Sequence, residues 1–134
     1  MLSAANQECQ TILVIDDDLP IRDSLRDLLE IEGFRVILAE DGRRGIEAIR
    51  DGLRPHLILL DLMMPNMNGW EFLTARQADI LLSSIPVVVI SAYLERFQGF
   101  PVCGRLNKPI DVTQLLRVVK RCAGSLPASV SSTD

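Results

Sequence analysis

The chain has 134 residues, 48% hydrophobic and 24% charged, with 8 glycines and 7 prolines. That composition fits one soluble globular domain and excludes collagen-like and low-complexity chains. A net charge of −4 argues against binding nucleic acid by phosphate neutralisation. Aliphatic runs of four residues are far too short to span a bilayer, and the first ten residues hold no Lys or Arg for a secretory leader. No membrane partner, no direct nucleic-acid contact and a cytoplasmic location are therefore expected.

Residues 1–10 read as a flexible, polar leader. Residues 11–15 form a buried strand followed at once by Asp16-Asp17-Asp18. Pro20 suits a first helical turn, and Ile21, Leu25, Leu28 and Leu29 recur on one helix face until Gly33 stops it. Residues 34–39 are a second strand, and Asp41-Gly42 leads into a short helix carrying Ile46 and Ile49. Gly52 and Pro55 break that helix before a third strand, residues 57–60, which ends at Asp61. A loop with Pro65 precedes Gly69, which opens a helix holding Trp70, Phe72 and Leu73. Residues 87–90 are a fourth strand ending at Ser91, and residues 105–107 a short fifth one ending at Lys108-Pro109. A last helix carries Val112, Leu115, Leu116, Val119 and Cys122 on one face. Residues 124–134, rich in serine, read as a disordered tail.

Strands alternating with helices, and apolar on both faces, imply a parallel sheet covered on both sides. Asp16-Asp17, Asp61, Ser91 and Lys108 then all fall at the carboxyl edge, where open α/β sheets bind ligands. Three carboxylates held together need a cation, and a hard divalent ion such as Mg²⁺ suits oxygen donors. Adding an ammonium and a hydroxyl around one carboxylate makes a receptor for phosphoryl oxygens, with Asp61 the candidate nucleophile.

The stretches ILVIDDD (12–18), LILLDLMMPNMNG (57–69), PVVVISA (86–92) and NKPI (107–110) resemble the receiver domain of bacterial two-component response regulators, of the chemotaxis-receiver kind. The resemblance covers residues 11–123. It implies a flavodoxin-like, doubly wound five-stranded parallel sheet of order 2-1-3-4-5. It also implies that Asp61 is the phosphoacceptor and that Asp16, Asp17, Asp61 and the backbone carbonyl of Met63 hold Mg²⁺. Ser91 would be the switch hydroxyl, and Lys108 the lysine that pairs with the phosphoryl group, followed by a cis bond to Pro109. The phosphodonor would be a histidine kinase or phosphotransfer protein. Output would go to a downstream protein or a dimer partner. Such a chain is no enzyme beyond catalysing its own phosphorylation and dephosphorylation. Met63 and Tyr93 would border the attacking water; neither is a good base, so a slow loss of phosphate is expected. No output domain follows Ala123, so a stand-alone or excised receiver is expected, with Met1 favouring a natural start.

Other readings compete. Acidic residues after a strand often cap the next helix, and that role goes to Asp18. A magnesium-dependent phosphohydrolase of the haloacid dehalogenase kind would use Asp16 and Asp18, but Pro20 stands where that family has Thr or Val, and there is no cap domain. A receiver-like interaction module without phosphate is opposed by the intact Asp16, Asp17, Asp61, Ser91 and Lys108 set. His56, five residues from Asp61, lies about 16 Å from the edge and is neither base nor phosphodonor. Cys9, Cys103 and Cys122 form no CxxC and are expected as reduced thiols, the last two as core packing.

Two departures from the family stand out. Ser91 and Lys108 are only 17 positions apart, with Gly99, Phe100-Pro101 and Gly104 between, so the fourth crossover helix should be short or degenerate. Arg105 stands three residues before the lysine, where receivers usually carry an aromatic residue.

Overall fold

The aliphatic runs form strands β1 (Thr11–Ile15), β2 (Arg35–Ala39), β3 (Leu57–Asp61), β4 (Val87–Ser91) and β5 (Gly104–Asn107). The computed structural model describes residues 10–64 and 66–132, residues 124–132 by their backbone alone. All neighbouring strands pair in parallel, in the order β2-β1-β3-β4-β5. Every residue of β1, β3 and β4 is buried, as central strands with helices on both faces require. The edge strands are half-buried, and β5 buries only Leu106.

Helices α1 (Leu19–Ile31) and α5 (Val112–Ser132) cover one face; α2 (Gly42–Arg50), α3 (Gly69–Gln77) and the single turn α4 (Ile80–Ser83) cover the other. Alternation along each strand divides the core accordingly. Ile12, Val14, Leu57, Leu59, Val88 and Ile90 meet Leu25, Leu29, Leu115 and Val119, while Leu13, Ile15, Ile58 and Leu60 meet Ile46, Ile49, Phe72 and Leu73. Gly33 ends α1 in the left-handed region, φ 96°. Gly69 is needed for a different reason: a Cβ there would stand 2.7 Å from the Leu62 Cα, where α3 starts against the end of β3.

The β4–β5 connection is short, as expected. It holds one 3-10 turn (Leu94–Arg96), after which Phe97 turns inward, 2% exposed. The Arg105 guanidinium lies over the Phe97 ring at 5.1 Å, and Phe100 stacks on Phe97 with centroids 6.5 Å apart.

Three expectations change. Cys103 and Cys122 are joined in a disulfide rather than reduced. Cys103 lies just before β5 and Cys122 on the inward face of α5, which brings their Cα atoms to 6.1 Å, within bridging reach. Cys122 is buried, but Cys103 is exposed and is no part of the core. Helix α5 also runs on to Ser132, so residues 124–132 are helical instead of a disordered tail. Gly124 and Pro127 both disfavour a helix interior, which is why the serine-rich segment reads as non-helical, yet both lie within α5. Residues 1–9 of the expected leader (1–10) and residues 133–134 of the expected tail lie outside the described residues.

Candidate functional site

Register builds the site. Ile15 pairs with Leu60 and Asp61 with Ile90, so Asp16 and Asp61 emerge side by side. Ser91 pairs with Asn107, which places Lys108 one residue further along the same edge. Each ladder continues past its strand: Asp16 N–H donates to the Ala39 carbonyl, Leu62 N–H to Ile90 and Lys108 N–H to Ser91. The site backbone is thereby tied to the sheet instead of to a loose loop.

Asp16 and Asp61 are 1% and 3% exposed, while Asp17 stands in solvent. One oxygen from each lies within 4.8 Å of the others. Lys108 Nζ sits 3.3 Å from Asp16 Oδ2 and 3.5 Å from Asp61 Oδ1. Asp61 Oδ1 also accepts from the Met63 backbone N–H at 3.3 Å. Burial pushes the Asp61 carboxyl up to about 6, and the charge of Asp16 adds to this against the opposing pull of Lys108. Burial raises Asp16 as well. One lysine does not balance three carboxylates. All the donors are hard oxygens, so the set fits a small divalent cation that takes one or two carboxylates and keeps several waters.

Ser91 is buried and its Oγ accepts from the Tyr93 backbone N–H at 2.9 Å. Met63 and Tyr93 are both exposed at the rim, and the Arg96 guanidinium lies 5.0 Å from the Tyr93 ring centroid. The Lys108–Pro109 peptide is cis. Asp18 Oδ1 accepts from the Ile21 N–H at 3.2 Å and caps α1. That employment removes the second acid a haloacid dehalogenase chemistry would need. His56 stands at the opposite end of the sheet, where its Nδ1 accepts from the Thr11 N–H at 3.0 Å.

Sequence reasoning placed Asp41 at the start of α2 but missed its second contact. The Asp41 carboxylate caps α2 through the Arg44 N–H and also accepts from Asn66 Nδ2 at 3.2 Å, tying the loop after Asp61 to α2. Burial works against the Asp41 carboxylate, but these donors outweigh it and hold the group below the usual range. A left-handed Asn66, φ 63°, marks the same contact, and nothing in the local pattern announces it.

The response regulator receiver domain family model matches residues 12–120. The DNA-binding response regulator MtrA of Mycolicibacterium paratuberculosis is 42% identical over 83 residues, 62% of this chain and 35% of MtrA. The chain thus spans about a third of that relative's length. Chemotaxis response regulator CheY4 of Vibrio cholerae has a similar structure, with a TM-score of 0.77, 27% identity, and coverage of 86% of this chain and 99% of CheY4. The receiver domain of sensor histidine kinase PA1611 from Pseudomonas aeruginosa, described with a magnesium ion coordinated in its active-site cleft, superposes with a TM-score of 0.74 at 25% identity, covering 87% of this chain and 99% of that domain. The expectation of no direct nucleic-acid contact, drawn from net charge, finds no support in a relative named as DNA-binding. Among the described residues, no helix is long and apolar enough to cross a membrane.

Proposed function

Because this chain belongs to the response regulator receiver family, we propose that it takes a phosphoryl group onto Asp61 from the phosphohistidine of a kinase or phosphotransfer protein. The observation that carries this reading is the buried Asp61 carboxylate, flanked by Asp16 and 3.5 Å from the Lys108 ammonium. An Asp61 oxygen attacks phosphorus as the bond to the donor nitrogen breaks, forming an acyl phosphate. Lys108 leaves its carboxylate partners for a phosphoryl oxygen, and the Ser91 hydroxyl donates to another. Asp16, Asp17, Asp61 and the Met63 carbonyl would hold Mg²⁺, which supplies the positive charge that phosphoryl transfer needs. Met63 and Tyr93 crowd the line of approach of a hydrolytic water.

In this reading the chain catalyses only its own phosphorylation and dephosphorylation, within a receiver unit of residues 11–123. It works in the cytoplasm, where it passes the signal to a downstream protein or a second copy. Incubating the chain with phosphoramidate and Mg²⁺ should add one base-labile phosphoryl group, and Asp61→Asn should abolish it. Equal labelling of the Asp61→Asn protein would contradict the assignment.

A further inference from the structure

The Cys103–Cys122 bridge has no part in phosphoryl transfer, yet it closes the end of β5 opposite the reacting groups. Cys103 directly precedes β5, whose far end leads into Lys108. Leu106 is the only buried side chain of the strand. Gly104 packs so tightly on α5 that a Cβ there would stand 2.7 Å from Val118 Cγ1. The bridge therefore fastens a thinly anchored edge strand to the helix beneath it.

The surroundings also suit thiol exchange. Cys103 is exposed, so a dithiol can reach it, whereas Cys122 is buried. The Arg121 guanidinium donates to the Cys103 carbonyl at 2.8 Å and lies 3.8 Å from Cys122 Sγ, where it stabilises negative charge on a departing sulfur. In a reducing compartment such bridges exist as transient, redox-sensing bonds.

We propose that Cys103–Cys122 is a reversible redox site, opened by dithiol reductants, that sets how firmly β5 presents Lys108 to Asp61. This rests on the receiver reading of Asp61 and on the cytoplasmic location proposed with it. A dithiol thiolate attacks Cys103 Sγ, the S–S bond breaks and Cys122 leaves as thiolate. The second thiol of the reductant then displaces Cys103, so that two thiols form on the chain and one disulfide on the reductant. Oxidised glutathione reverses the balance, closing the bridge and releasing two reduced glutathione molecules.

The full chain should be prepared in glutathione disulfide and in dithiothreitol, and its thiols counted by maleimide mass-tagging in denaturant. One thiol, Cys9, should react in the oxidised form, and all three cysteines in the reduced form. Phosphoramidate labelling should be about fivefold slower after reduction. Mg²⁺ affinity, followed by calorimetric titration, should stay the same, because Asp16 and Asp17 directly follow β1 and Asp61 ends β3. Cys103→Ser, at an exposed position, should label at the reduced rate in either buffer. Three reactive thiols under oxidant, or equal labelling rates in the two forms, would overturn the proposal. A chain whose thiols pair but which takes no label in either form would contradict the receiver reading and remove the link to Lys108 with it.

Discussion

Strands β1 and β3, which deliver Asp16, Asp17 and Asp61, are buried from end to end, whereas β5, which delivers Lys108, buries only Leu106. The negative half of the site thus stands on the most constrained part of the sheet, and its cation on the least. Local stability follows burial, so the two halves differ in how easily they yield. In the proposed mechanism that difference is useful. The carboxylates must hold one geometry through the reaction, while Lys108 must change partners from carboxylate to phosphoryl oxygen.

The sharpest way to break the contrast is to empty each region in turn. Leu59→Ala in β3 removes a side chain with no exposure and should cost about 4 kcal/mol in urea denaturation, against about 2 kcal/mol for Leu106→Ala at the edge. Equal costs would remove the distinction. Next in size is a pH effect confined to the acid half. The folded Asp61 holds its proton up to about 6, while the unfolded chain loses it near the ordinary aspartate value of 3.8. Metal-free stability from this group is therefore complete below about pH 4 and falls as pH rises to about 6, by on the order of 3 kcal/mol. Asp61→Asn should flatten that fall, and a metal-free protein that instead gains stability from Asp61 over this range would contradict the account.

Smaller effects are expected at the rim of the site. Met63→Asn together with Tyr93→Glu should shorten the life of the phosphorylated form about tenfold, a change of about 1.4 kcal/mol in the barrier, with Mg²⁺ affinity unaltered. A wild-type lifetime as short as that of the double variant would dismiss the crowding argument. Asp17→Ala should weaken Mg²⁺ binding and slightly raise the metal-free urea midpoint, because the Asp17 charge opposes ionisation of Asp16 and Asp61. A lowered midpoint would assign Asp17 a structural role. Smallest of all, Arg105→Ala should cost about 0.5 kcal/mol, the worth of one exposed guanidinium–ring contact with Phe97. A loss as large as that of Leu106→Ala would mean that Arg105 anchors β5.

What could be read in advance divides along the same line. β1, β3 and β4 are unbroken aliphatic runs, and the residue types at their ends place Asp16, Asp61 and Ser91 on one edge without further information. The short β4–β5 connection could be read from 17 positions that leave no room for a full helix. Its contents could not. A Cys103–Cys122 bridge and an Arg105–Phe97 stack depend on which faces of β5, the 3-10 turn and α5 meet, and no spacing rule encodes that meeting. The Asp41–Asn66 tie escaped for the same reason, since 25 positions separate two polar residues in different turns. Helix α4 was missed because Asp79, its N-cap, heads a single turn too short to show periodicity.

Trapping the acyl phosphate decides whether Asp61 is the acceptor. Treating the phosphorylated chain with borohydride reduces an aspartyl phosphate to homoserine, which peptide sequencing by mass spectrometry locates. Homoserine is expected at position 61 and is expected to be absent without phosphodonor. Homoserine at Asp16 or Asp17 with Asp61 intact would contradict that assignment.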